Sequence, residues 1–349
     1  MFPAMFPDPT ADPRLDELRL WLASTLRLPD FTLEPASSDA SFRRYFRATL
    51  AAPCERAPSA ATLIAMDAPP AQEDCRPFVH VAKLLDAAGV NAPHVLAADL
   101  DRGFLLLTDL GTKTYASALD DTSAHGLYLD AIDALIRWQG ATRDGELPPY
   151  DEALLRRELM LFPEWYVGRH LGHAPTPAER ATLDTVFDAL IANSLAQPRV
   201  YVHRDYHSRN LMVCTPNPGV LDFQDAVHGP ITYDLVSLLR DAYVEWEEER
   251  ELDWVIRYWE RARKAGLPVA AEFAPFWRDY EWMGAQRQLK VLGIFARLKH
   301  RDGKDRYVGD MPRVLRYLRR ACARYREFDA LSRILDSLEG SSPAFAYSI

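Results

Sequence analysis

The sequence predicts an α+β chain in which a small, sheet-rich lobe precedes a larger helical one. Two features carry that prediction. Up to about residue 110, short apolar runs alternate with turn-forming segments; beyond it, apolar residues recur at helical spacing over long stretches. In the first part "FTLEP" (31–35), "SFRRYFRATL" (41–50), "TLIAM" (62–66), "HVLAAD" (94–99) and "FLLLT" (104–108) read as strands. A helix interrupts them at "CRPFVHVAKLLDAAG", where Phe78, Val81, Ala82 and Leu85 share a face and Gly89 ends the run. In the second part, helices are expected over 124–139, 151–171, 178–196, 272–298 and 311–326. Only 198–223 breaks that texture: "RVYV", "LMVC" and "GVLDF" look like short strands, with "TPNP" as the turn between the last two. The expected division is therefore 1–109 and 110–349.

Composition narrows the function. With 48% hydrophobic and 26% charged residues, the chain has the balance of an ordinary globular protein, and 349 residues suffice for two lobes. A net charge of −9 argues against general nucleic-acid affinity, which needs a basic face. Cys54, Cys75, Cys214 and Cys322 lie far apart with no CxxC pair, so neither a zinc site nor a disulfide framework is suggested, and a reducing cytoplasm is expected. No basic-then-apolar leader opens the sequence, and no run approaches the ~20 apolar residues of a membrane span. A soluble chain without an obligate protein partner is the expectation.

Chemistry concentrates in "YVHRDYHSRNLMV" (201–213). A core strand gains nothing from an interrupting Asp and Asn, since burying such groups unpaired costs roughly 1–3 kcal/mol each. Asp205 and Asn210 are five positions apart, and Asp222 follows at the end of "GVLDF", beyond the turn. Three oxygen-bearing side chains at strand ends can converge on one point, and Mg²⁺ prefers such ligands, with substrate phosphates completing its shell.

"HRDYHSRN" followed by "LDFQD" resembles the catalytic and metal segments of the aminoglycoside phosphotransferase and protein-kinase-like superfamily. The resemblance implies a bilobal protein-kinase-like fold. The N-lobe would be a small antiparallel sheet covering the nucleotide; the larger helical C-lobe would carry the catalytic loop, the metal and the acceptor site. It implies ATP and Mg²⁺. Asp205 would accept or orient the proton of the substrate hydroxyl, Asn210 and Asp222 would hold the metal, and His203 would anchor the loop. Two departures stand out. "SSDASFRRYF" (37–46), at the place of the phosphate-covering loop, has no glycine, although Ser38, Ser41, Arg43 and Arg44 offer small and cationic groups. In addition, Met66 and Asp67 stand where the third strand of a kinase carries its lysine, so either an Arg from 43–47 substitutes or the chain is a catalytically weak relative. "FLLLTDLGTKTY" (104–115) has the form of the strand and hinge between the lobes, where adenine would meet backbone groups of Thr108, Asp109 and Leu110.

For the acceptor, "LLRRELMLFPEWYV" (154–167) combines Arg156, Arg157, Glu158, Glu164, Trp165 and Tyr166; rings that stack on sugars and charges that bind hydroxyls or a carboxylate suit it, and so does plain amphipathic packing. The basic stretch 287–307 is ordinarily a solvated helix face. The acidic run "VEWEEERELD" (244–253) would suit a cationic substrate, though a solvated helix surface explains it too. Longer stretches, among them "SSDASFRRYFR", "MDAPPAQEDCRPF", "GVLDFQDAVHGPITYDL" and "LGIFARLKHRDGKDRY", are similar to one branch, the bacterial anomeric kinases of N-acetylmuramate and N-acetylglucosamine in peptidoglycan recycling. That branch also carries "MDAPP" at the third strand. The similarity implies ATP-dependent phosphorylation of the C1 hydroxyl of both amino sugars, to give sugar 1-phosphates. A kinase of an aminoglycoside or other small alcohol, and a non-catalytic nucleotide- or sugar-binding module, remain the alternatives.

Overall fold

The computed structural model describes residues 12–37 and 42–340. Contacts divide the chain into two compact units, one running to Ala87 and joined by Asn91–Thr112, the other comprising Ala88–Val90 and everything from Lys113.

In the first unit, helix α1 (Pro13–Leu20) is followed by strands β1 (Phe31–Ser37), β2 (Arg44–Leu50) and β3 (Thr62–Asp67), helix α2 (Arg76–Ala87), and strands β4 (Val95–Asp99) and β5 (Phe104–Thr108). The strands pair antiparallel in the order β1-β2-β3-β5-β4. Alternation along the strands makes the core: Phe46 and Ala48, Leu63 and Ala65, Phe104 and Leu106 are buried with Leu18, Trp21 and Leu22 of the N-terminal helical segment. That segment is absent from the sequence-based assignment because "DPRLDELRL" is mostly charged. It starts cleanly all the same, with Asp12 accepting from the Leu15 N–H and Pro13 in the first turn. Gly103, at φ +73°, lets the β4–β5 turn approach β3: a Cβ there would fall 1.8 Å from the Ala68 carbonyl oxygen.

The second unit holds α3 (Tyr115–Ala118), α4 (Ala124–Gly140), α5 (Glu152–Leu159), α6 (Pro177–Ala196), β6 (Arg199–Val202), β7 (Leu211–Met212), β8 (Gly219–Val220), β9 (Val227–Pro230), α7 (Tyr233–Leu239), α8 (Glu248–Lys264), α9 (Phe273–Asp302), α10 (Met311–Arg324) and α11 (Asp329–Gly340). The helix expected over 151–171 is broken in two. Pro163 cannot donate to the turn before it, and a wide π-type turn, Phe162–His170, takes over from α5. Helix α9 passes close to this break, since a Cβ on Gly293 would fall within 2.4 Å of the Leu161 backbone. Among the described residues no helix is long and apolar enough to cross a membrane.

Candidate active site

The loop from β6 to β7 carries His203, Arg204, Asp205 and Asn210. Arg204 sits at φ +78°, a region that costs a residue with a side chain roughly 1–3 kcal/mol unless its surroundings impose it. Asp234, at the start of α7, does so by accepting the N–H of His203 at 2.6 Å and of Arg204 at 3.0 Å. Burial pushes the Asp234 carboxyl up to about 7 against the pull of these two donors. His203 is buried as well. Its Nδ1 accepts from the Asp205 N–H at 3.2 Å, so Nε2 carries the proton and donates to the Leu221 carbonyl at 3.0 Å. Burial brings this imidazole down to about 4, which keeps it neutral. Because Leu221 precedes Asp222, the ring ties the catalytic loop to the second carboxylate.

A hairpin completes the constellation. Leu211 pairs with Val220, Met212 pairs with Gly219, and the Leu221 N–H donates to the Asn210 carbonyl at 2.9 Å. Asn210 is thereby set beside both carboxylate loops: its Nδ2 donates to the Asp205 carbonyl at 3.0 Å and lies 3.4 Å from Asp222 Oδ2. Gln224, in the position of the kinase glycine, donates to Asp222 Oδ1 at 2.9 Å. Asp222 itself is left-handed at φ +61°, a conformation that Asp tolerates better than most.

Asp205 is an ionised group. Burial alone would raise its pKa, but Lys290, and then His207, Arg204 and Arg287, overcome that and leave it below the ordinary aspartate value. Behind it lies a buried network. Glu158 Oε1 accepts from Arg204 Nη2 at 2.6 Å and from Lys290 Nζ at 3.1 Å; Glu158 Oε2 accepts from the Tyr150 hydroxyl, and Lys290 also donates to the Tyr233 hydroxyl at 2.7 Å. Burial opposes ionisation of Glu158, yet the two cations hold it below the usual glutamate value.

Ser38 and Ser41 lie outside the described residues. Arg44 is the cross-strand partner of Asp67, with Nε 3.0 Å from Asp67 Oδ2; it also pairs with Asp12, while Arg14 holds the other oxygen of Asp67 at 2.9 Å through Nε. So the carboxylate at the end of β3 is answered by two arginines, one of them the expected phosphate cation Arg44; the other expected cation, Arg43, is half-buried. Thr108 takes the His94 N–H on its Oγ1, Asp109 is paired with Arg47 at 2.6 Å, and Leu110 is half-buried. Arg156 bonds Asp188 at 2.5 Å; Arg157 and Glu164 are exposed, and Trp165 is half-buried. Tyr166 is a core residue, 6% exposed and stacked between Phe162 and His170.

One expectation about charged surfaces needs correction. The stretch from 287 is no solvated face where it begins: Arg287 and Lys290 are 5% and 6% exposed, and Glu158 explains the burial of Lys290. The acidic run is partly neutralised, with Glu245 paired to Arg316, Glu248 to Arg324, and Glu251 buried against Arg240 and Arg320, while Glu247 and Glu249 are exposed as a solvated face requires. Glu158 belongs to the stretch expected to meet the acceptor, whereas nothing local distinguishes Arg287 and Lys290 from neighbours that face solvent.

A carboxylate flanked by an Asn–Asp pair on two tied loops is the arrangement of a kinase-type phosphotransferase. Residues 32–273 match the phosphotransferase enzyme family, and the chain belongs to it. It is 50% identical, over 346 residues covering 96% of this chain and 100% of the relative, to the N-acetylmuramate/N-acetylglucosamine kinase of Pseudomonas putida. With the kinase of the same name from Pseudomonas aeruginosa the identity is 51% over 343 residues, 95% of this chain and 99% of that one. Among solved structures, an ADP-bound aminoglycoside phosphotransferase superposes with a TM-score of 0.54 at 13% identity, covering 86% of this chain and 97% of the other. At that identity the likeness shows the fold, which is the α+β, bilobal, kinase-like one.

Proposed function

We propose that this chain transfers the γ-phosphoryl group of ATP to the anomeric C1 hydroxyl of N-acetylmuramate and N-acetylglucosamine, giving sugar 1-phosphates for cytoplasmic reuse of cell-wall sugars. The observation that carries the proposal is 50% identity over almost the whole chain to a relative named for those two sugars, in a chain that keeps Asp205, Asn210 and Asp222.

In this reading Asp205 receives the C1 hydroxyl as a hydrogen-bond donor and takes its proton as the oxygen bonds to phosphorus; the bond from phosphorus to the β–γ bridging oxygen breaks, and ADP leaves. A carboxylate with a lowered pKa is a weak base, so its contribution is mainly orientation. An anomeric hydroxyl, more acidic than an ordinary alcohol, suits such a base. The residues present fit a magnesium ion: Asn210 directs its Nδ2 at protein acceptors, which leaves Oδ1 for a cation, and Asp222 adds a carboxylate on the neighbouring loop. Bound there, Mg²⁺ neutralises charge on the nucleotide phosphates. For the nucleotide we assign Arg43, Thr108 and Asp109 in the lobe of residues 1–109 with the backbone of Leu110 at its border, and we assign catalysis to 110–349. The feature that would favour an aminoglycoside acceptor is reduced, since Glu245, Glu248 and Glu251 are engaged in ion pairs and only Glu247 and Glu249 of that run's glutamates are exposed without one among the described residues.

The test is product chemistry. Phosphorus NMR of the product should show coupling to the anomeric proton, and a methyl glycoside of either sugar should be inert while a sugar blocked at the 6-hydroxyl still reacts. A 6-phosphate would overturn the anomeric assignment.

A further inference from the structure

Helix α9 brings to Asp205 a cation that phosphoryl transfer, as derived above, does not use. Arg287 is 5% exposed, and among the described residues its guanidinium makes no hydrogen bond and no ion pair. A guanidinium carries five N–H donors and stays charged in proteins, so burial without a partner is strongly unfavourable. Lys290, one turn further along the same helix, shows the filled case: its ammonium meets Glu158 at 3.1 Å and the Tyr233 hydroxyl at 2.7 Å.

The groups on which the Arg287 charge acts are Asp205, His207, Asp234 and Tyr243. Asp234 is occupied by the His203 and Arg204 N–H groups. The His207 ring stands edge-on to Tyr243, 5.3 Å between centroids, and its buried Nδ1 has no hydrogen-bond partner among the described residues. Around the carboxylate that takes the acceptor hydroxyl there is thus a nearly buried cation without a partner among the described residues, and beside it a ring nitrogen shut off from water. Asn210 and Asp222, in contrast, bond each other, the Asp205 carbonyl and Gln224. This grouping favours the acceptor over the nucleotide phosphates as the source of the missing anion.

We propose that Arg287 receives a carboxylate carried by the acceptor sugar and thereby sets the preference for a carboxylate-bearing over a neutral amino sugar. The inference rests on the function proposed above, in which N-acetylmuramate has a lactyl carboxylate and N-acetylglucosamine has none. It moves the cation away from Arg156 and Arg157, the first of which is paired with Asp188.

The experiment measures kcat and KM for both sugars and for ATP in the parent, R287M and R287K, with thermal unfolding as the check on folding. The ratio of kcat/KM for N-acetylmuramate to that for N-acetylglucosamine should fall about 10–100-fold in R287M, chiefly through the KM of N-acetylmuramate, and by less in R287K, which keeps a charge without the fork. N-acetylmuramate carboxamide should bind the parent more weakly than the acid does, and R287M should lose that discrimination. Equal loss on both sugars, or a loss confined to the KM of ATP, would overturn the assignment while leaving the kinase reading in place. A parent that phosphorylates neither sugar would remove both. Should R287M not fold, the acid–carboxamide comparison in the parent and R287K still decides, since equal binding of the two ligands by the parent refutes the proposal.

Discussion

Two buried ionic clusters share helix α9, and they are built to different rules. Near Glu281, Arg240 meets Glu251 at 2.6 Å and Glu281 at 3.2 Å, Arg320 meets Glu251 at 2.6 Å, and Arg324 meets Glu281 and Glu248. The hydroxyls of Tyr280 and Tyr325 donate to Glu251 and Glu281. Each guanidinium there has a carboxylate. Around the catalytic loop, Arg204 and Lys290 meet Glu158, and the charges of Lys290, Arg204 and Arg287 act on Asp205, which in the proposed function receives the acceptor. The closed cluster fastens α7, α8, α9 and α10 to one another. The open one leaves Asp205 and Arg287 without a structural partner among the described residues, the pattern expected of a place of binding and chemistry.

The sharpest way to separate the clusters is to remove Asp205. Asp205→Asn should lower kcat by about 10²–10⁴-fold with little change in thermal unfolding, because the group acts on the acceptor rather than on the fold. Turnover close to that of the parent would break the distinction. Truncating the two glutamates compares them directly. Glu158→Ala and Glu251→Ala should each cost about 3–5 kcal/mol in denaturant unfolding, as each leaves buried cations without a partner. Only the first should also depress the specific activity of the folded fraction, since Arg204 and Lys290 are next to Asp205; equal specific activities would merge the two clusters into one structural class.

A smaller effect concerns pH. The His203 imidazole is brought down to about 4 in the fold from an ordinary value near 6.5. Between those values the unfolded chain binds a proton that the native one does not, so this stabilisation is whole above pH 6.5 and declines by about 3 kcal/mol as pH falls to 4. Asp234, raised to about 7, acts in the opposite sense, losing stability as pH rises through that value. The difference between the parent and His203→Gln isolates the imidazole: Tm should fall less steeply in the variant between pH 6.5 and 4.5. Identical slopes would place the acid sensitivity elsewhere.

What the sequence made legible was local. Strand alternation, the spacing from Asp205 to Asn210 and the short turn to Asp222 are set within a few residues of one another, and the structure places them as one constellation. Groups recruited across the fold were not legible. Arg287 and Lys290 sit among Leu289, Leu292 and Phe295 in a pattern that any amphipathic helix could show, and only Glu158, far away in sequence, explains why Lys290 is inside. The segment 154–167 does reach the catalytic loop, through Glu158 and not through the arginines beside it, because periodicity cannot tell which polar residue of a helix turns inward. At Asp67 the chain lacks a kinase lysine, and the two arginines that answer the carboxylate come from α1 and β2.

Helix α9 spans 30 residues, about 45 Å, and is pinned by the contact of Gly293 with the Leu161 backbone and by Glu281 in the closed cluster. A cation presented from such a rod has little freedom to be repositioned. Relatives that adapt to new acceptors should therefore diversify here by exchanging single side chains at the position of Arg287, in the manner of interchangeable tool heads on one shaft, while insertions and length changes accumulate in the connecting loops instead.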